Sequence, residues 1–219
     1  KGENLYWRYE SGLKKLDALF YTVVGAAGEL FSVRKSLYPD VPEQIILDDF
    51  YISLKVCEKN FRVMYEPEAY ATEKPSFSMK DEQKRKVRIS AGAFQAMTHF
   101  TNLLNPFAFG KLSFQYVSRR VFRWVICPVA LPMILIFNIL LVMLEIKPIL
   151  LYQLILGAQI IFYLLALGGW LFMHHKLGKI KFLYVPYYFS FMNLSVWSGF
   201  FRYINGGQSA NWEKANRAS

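Results

Sequence analysis

Two groups of side chains in this 219-residue chain have the types and spacing to do chemistry: the adjacent acids Asp48 and Asp49, and the run Lys84, Arg85, Lys86 and Arg88. A carboxylate pair is suited to proton transfer, and clustered cations suit a phosphate or an anionic lipid surface. Both groups also have a purely structural reading. Acids at a helix start are favoured by the helix dipole. A basic run one turn from Asp81 and Glu82 makes an ordinary solvated face with local ion pairs. His174 and His175 suggest a metal, but neighbouring imidazoles point apart on a helix, and a membrane-interface position suits them better. Cys57 and Cys127 form no CxxC pair, which fits a reduced cytoplasmic setting and argues against a thiolate metal site.

The elements that must position these groups follow from periodicity. Leu5, Tyr9, Leu13, Leu16 and Phe20 form one stripe, so residues 4–20 predict an amphipathic helix. The small-residue turn "GAAG" at 25–28 precedes a predicted strand around 30–33, and Pro39 closes that unit. A second helix is expected from Pro42 or Glu43, with Asp48 and Asp49 near its first turns and Phe50, Leu54 and Cys57 facing inward. "FRVMYEP" and "AYATE" read as strands split at Pro67. Ser78 followed by Asp81 resembles a capping box, opening a third helix that runs to about Phe100. From Ile89 to Tyr116, Phe94, Met97, Phe100 or Thr101, Leu104 and Phe107 recur at helical spacing. Asn102, Asn105 and Pro106 break that stripe into two short helices that suit either a core or a membrane surface. Helices alternating with strands make an α/β unit, although neither a P-loop nor a GxGxxG occurs.

The charge distribution separates the second half. Residues 1–121 carry 18 basic and 14 acidic side chains, while 122–219 carry 8 and 2. Uncharged stretches of 21, 26 and 20 residues lie within the spans 122–144, 148–173 and 182–204. A membrane-crossing helix needs about 20. Arg119, Arg120 and Arg123 before the first span, and the 174–181 cluster before the third, mark cytoplasmic ends. A net charge of +10 arranged this way points to a bilayer and requires no nucleic acid. The chain opens on Lys1 without a signal peptide, so it reads as a segment of something longer.

The order of parts resembles the C-terminal half of membrane-embedded family 2 glycosyltransferases, which include cellulose, hyaluronan and poly-N-acetylglucosamine synthases. The specific stretch is "ILDDFYISLKVCEKNFRVMYEPEAYATE", followed by "RKVRI" on a helix feeding into apolar spans. The resemblance implies a partial GT-A α/β fold over residues 1–115 and a transmembrane bundle of about three helices over 116–219. It makes Asp49 the general base toward the acceptor hydroxyl and places Asp48 where a glutamate usually precedes it. Arg85-Lys86-Val87-Arg88-Ile89 falls on the family's Gln-(Gln/Arg)-x-Arg-Trp motif. Arg88 then contacts the departing diphosphate, flanked by Lys86 and by Arg85, which replaces glutamine. Ile89 replaces the tryptophan that stacks on the acceptor sugar. Gly28 and Glu29 line the acceptor side.

The function so implied is inverting transfer of a sugar from a nucleotide-diphosphate donor to a saccharide or lipid-linked acceptor, in polysaccharide biosynthesis at a cell envelope. The remaining partners would be the lipid bilayer and the N-terminal half of the same enzyme. The family's Mg²⁺ or Mn²⁺ would be held through an upstream Asp-x-Asp, and none is expected in this segment, which alone should be inactive. The expected location is a multi-pass plasma (inner) membrane with the catalytic part cytoplasmic. The alternative is a membrane-anchored interaction module whose basic helix binds anionic lipid.

Overall fold

A computed structural model describes residues 2–72, 79–173 and 180–206. His174, His175, Lys176, Lys179, Ser78 and the stretch 207–219 lie outside the described residues. The chain divides into two units, one comprising Glu3–Trp124 with the segment from Ser195 onward, the other Val125–Leu194.

The first unit begins with α1 (Gly2–Phe20). An irregular strap, residues 21–47, holds only a 3₁₀ turn at Lys35–Leu37 and leads to α2 (Asp48–Glu58). Phe50, Tyr51, Leu54 and Cys57 repeat at helical spacing, and this face of α2 is buried. The helix ends where Asn60 takes a left-handed conformation, φ 63°. α3 (Met79–His99) is followed by a 3₁₀ turn at Thr101–Leu104 and by α4 (Pro106–Phe109), which Asn105 caps through Phe107 and Ala108 N–H. α5 (Lys111–Tyr116) passes into a π-helical stretch, Val117–Ile126. The core lies among these elements, where Phe50, Tyr51 and Leu54 meet Ala96, Phe100, Leu103, Leu112 and Tyr116.

The α/β expectation is overturned: among the described residues there is no strand. The segments around Val23 and Val63 do meet, but Val23 N–H to the Val63 carbonyl (2.9 Å) is a single backbone bond. The Thr22 hydroxyl accepts from Val63 N–H at 2.8 Å and so takes the place of a second ladder bond. A strand needs an alternating series of such bonds. The predicted strand at 30–33 is likewise absent, and α2 begins at Asp48 rather than near Pro42.

In the second unit α6 (Cys127–Met143) and α7 (Ile149–Leu171) pair side by side. Between them Asn138, 5% exposed, meets Gln159 across 2.9 Å, a polar contact between otherwise apolar helices. α8 (Lys181–Ile204) starts in this unit. A Cβ on Gly169 would collide with the Leu183 carbonyl oxygen, so only glycine admits this α7–α8 approach. Two helices, Lys111–Met143 and α7, are long and apolar enough to cross a membrane, and their apolar surface is mostly exposed. Among the described residues, two such helices stand where a bundle of about three was expected. The third stretch is helical, but Pro186, Ser190, Asn193, Ser195 and Ser198 make it too polar.

Gly25 has φ +97°, and a Cβ there would lie 2.6 Å from Arg120 Nη2 and 2.7 Å from Phe50 Cδ2. Gly25→Ala should destabilise the first unit by about 1–3 kcal/mol through backbone strain alone, with the overlap adding to it. Chemical unfolding of the detergent-solubilised protein measures this, and wild-type stability would refute the assigned packing.

Candidate active site

α3 crosses the chain just ahead of α2, and that crossing builds the site. The Gln95 side chain donates to the Gln44 carbonyl (2.8 Å) and accepts from Ile46 N–H (3.1 Å). One turn before Gln95, Gly92 lets α3 settle on the lead-in, since a Cβ would lie 2.9 Å from Ile46 and 3.0 Å from Leu47 side-chain atoms. One turn earlier again is Arg88, and one residue beyond Leu47 is Asp48. The two are electrostatically coupled: burial lowers the proton affinity of Arg88, the neighbouring Arg202 charge lowers it further, and Asp48 raises it.

Asp49 is half-buried and Asp48 exposed at the α2 N-terminus. Asp49 N–H donates to Asp48 Oδ1 at 2.9 Å. Burial pushes the Asp49 carboxyl above the ordinary aspartate range; the Phe50 N–H bond opposes this, Asp48 and Glu29 add to it, and Arg120 opposes it. The strap meets the same carboxyl, because a Cβ on Gly28 would stand 3.1 Å from Asp49 Oδ2. From α1, half-buried Lys14 is pulled below its usual range by burial, while Glu10, Glu29 and Asp49 act in the other direction.

The structure therefore sets Gly28 against Asp49, while Glu29 is coupled to Asp49 and Arg88 to Asp48 through charge. It does not gather Arg85 and Lys86 with them in the same way. Arg85 donates to both oxygens of the buried Glu82 at 3.1 Å, and Lys86 Nζ lies 3.5 Å from the same carboxylate. Burial lowers the Lys86 proton affinity first, with Glu82 opposing. Glu82 thus braces the basic helix from within, which explains why a charged run can pack against protein at all. Among the described residues no three His, Cys, Asp or Glu side chains gather as a metal site requires. Asp48 and Asp49, adjacent on a helix with diverging side chains, do not fit a divalent ion by themselves.

Sequence reasoning missed two cations. Arg202 of α8 arrives through a close crossing in which a Cβ on Gly199 would lie 2.5 Å from Ser90 Cβ and 2.9 Å from both Ala91 N and the Val87 carbonyl oxygen. Arg120, which read as part of a basic flank, faces the first turn of α2, with its guanidinium 5.3 Å from the Phe50 ring centre. The small residue at Gly199 was the one available signal for the first. Nothing local signalled the second. Cys57 is buried against the Thr22 hydroxyl (3.5 Å), and burial raises its thiol, so it is inert packing.

A half-buried carboxylate with raised proton affinity, beside an acid coupled to an arginine of a second helix, suits a group-transfer site that needs a base and an anion-stabilising charge. Residues 11–173 match the family model described as Glycosyl transferase family group 2. The chain belongs to that family and is a glycosyltransferase. The match spans α1 to α7 and includes Asp49, Arg88 and Arg120. No curated protein and no solved structure matches the chain.

Proposed function

We propose that this chain supplies the acceptor and leaving-group side of an inverting, membrane-anchored transferase that moves a sugar from a nucleotide diphosphate to a saccharide or lipid-linked hydroxyl. The observation that carries this is the seating of α3 on residues 44–47 through Gln95 and Gly92, which sets the helix that bears Arg88 beside the start of α2 with Asp48 and Asp49. Asp49 takes the acceptor hydroxyl proton while that oxygen bonds to the anomeric carbon. The carbon–oxygen bond to the diphosphate breaks, and its electron pair leaves on the bridging oxygen, where Arg88 offsets the charge. A single displacement of this kind inverts the anomeric centre. Arg202 adds positive charge beside Arg88, and a diphosphate is a natural counterion for such a pair. α6 and α7 are the proposed anchor, by length and composition. Ile89, in place of a stacking tryptophan, fits a site that does not grip a long polymer by an indole at this position.

A thermal-shift screen of the full-length protein in detergent against UDP-, GDP- and dTDP-sugars with Mn²⁺ tests the reading. One donor class should stabilise it, and no response to any would count against it. The lipid-binding alternative is disfavoured by the engagement of Arg85 and Lys86 with Glu82 rather than with a free surface.

The site also sets a pH dependence. A base must be ionised, and the raised Asp49 carboxyl holds its proton to higher pH than an exposed aspartate does. The acidic limb of kcat/KM against pH should therefore lie above the ordinary aspartate range. Activity undiminished down to that range would contradict the assignment.

A further inference from the structure

Arg120 lies on the π-helical stretch Val117–Ile126, a helix type that concentrates at functional positions. Its Nε donates to the Val24 carbonyl at 2.8 Å and its Nη2 reaches the same oxygen. Its guanidinium stands 5.3 Å from the Phe50 ring centre and 5.2 Å from that of Trp124. Phe50 and Trp124 themselves meet edge to face at 5.5 Å. Gly25, the residue after Val24, has no Cβ where the guanidinium and the Phe50 ring come together. Three residues further along, Gly28 abuts Asp49 Oδ2. One guanidinium thus touches both pieces of structure that place the carboxyl: the strap through Val24, and the first turn of α2 through Phe50.

We propose that Arg120 is the positioning residue of the base, fixing Asp49 by clamping the Val24–Gly28 strap and the Phe50 ring to the π-helical turn. This rests on the assignment of Asp49 above. The neighbouring arginines hold the clamp itself in place. Arg119 bonds Asp17 at 2.7 Å, and Arg123 bonds Glu10 at 3.1 Å, so the turn is also tied to α1.

The groups acting on Asp49 are Asp48 from its own helix, Glu29 from the strap, Lys14 from α1 and Arg120 from the π-helical turn, while Arg88 of α3 acts on Asp48. Arg120 is the arginine among those acting directly on Asp49, and its charge favours the ionised carboxylate against burial and two acidic neighbours. Arginine suits the place because it keeps its charge when desolvated and presents a flat face to two rings at once.

The test compares wild type, Arg120→Gln, Arg120→Lys and Asp49→Asn in the full-length protein by two readouts. The first is labelling of Asp49 by a water-soluble carbodiimide and an amine, quantified by mass spectrometry across pH, because a protonated carboxyl is the reactive form. The second is kcat/KM against pH with whichever nucleotide-sugar stabilises the protein in the thermal-shift screen. Arg120→Gln should shift the labelling profile to higher pH and carry the acidic limb of activity with it. Arg120→Lys keeps the charge and loses the fork, so its pH profile should stay near wild type while kcat falls about tenfold from misplacement. Unshifted profiles in Arg120→Gln would overturn the proposal, as would a wild-type kcat in Arg120→Lys. If Arg120→Gln does not fold, the lysine variant decides alone. Full turnover by Asp49→Asn would instead sink the base assignment, and with it any part for Arg120 in the reaction, whatever the labelling shows.

Discussion

Asp49→Asn should lower sugar transfer by about 10²–10⁴-fold, the usual contribution of a positioned general base, in a protein that is more stable than wild type at neutral pH. The two effects have one cause. The amide keeps the shape of the side chain at the head of α2 but cannot accept the acceptor's proton. At the same time the substitution removes a carboxylate whose ionised form is disfavoured by burial, Asp48 and Glu29. The sign of the stability change follows from linkage. A carboxyl whose folded pKa lies above its unfolded value makes the folded state bind more protons between the two values, so stability falls as pH rises through that window and the cost is complete above it. The amide escapes that cost. Inactivation with a raised melting temperature separates this outcome from simple unfolding. Denaturant titration and turnover measured on the same preparation provide the check, and a variant both inactive and destabilised would point to a structural role for Asp49.

Arg88→Ala carries the second large effect, a loss of about 2–4 kcal/mol of transition-state stabilisation, or about 30- to 1,000-fold in kcat/KM. In the proposed reaction Arg88 acts where negative charge develops, on the diphosphate oxygen, so kcat should fall more than KM rises. The fold should survive. Arg88 is half-buried beside another cation, Arg202, and removing it relieves a like-charge contact. Arg88→Lys should recover part of the activity, because a point charge replaces the fork without its two-oxygen geometry. Equal activity in the alanine variant would remove Arg88 from the reaction and leave the charge of the α3–α8 crossing without a catalytic purpose.

Local periodicity carried the inward face of α2 through Phe50, Leu54 and Cys57 and the extent of α3, because each records a helix facing one core; α1 was legible as a helix, but Tyr9, Leu16 and Phe20 of its predicted stripe are exposed. The strands failed for a physical reason. Val33 and Val63 have the side-chain preference for a sheet, but pairing is a property of two segments, and here Val23 N–H and the Val63 carbonyl share one backbone bond while the Thr22 hydroxyl takes the Val63 N–H. The third span failed because counting charges ignores hydroxyls and amides, and Ser190, Asn193, Ser195 and Ser198 make a charge-free run polar. In the site, Asp48, Asp49 and Arg88 were legible from residue type and order. Their company was not. Arg120 lies far along the chain and shares its sequence context with the arginines that flank apolar helices. Arg202 reaches the site only because Gly199 lets two helices come close. Glu82, which looked like one more surface acid, is buried under Arg85 and Lys86.

The central claim is that Asp49 drives one in-line displacement on a nucleotide-sugar donor. The measurement closest to it is ¹H NMR of the first-formed product from the purified full-length protein, wild type beside Asp49→Asn, read as anomeric configuration against time. The expected result is a single product of inverted configuration from wild type and none at the same rate from the variant. A product of retained configuration, or inverted product formed as fast by Asp49→Asn, would contradict the claim.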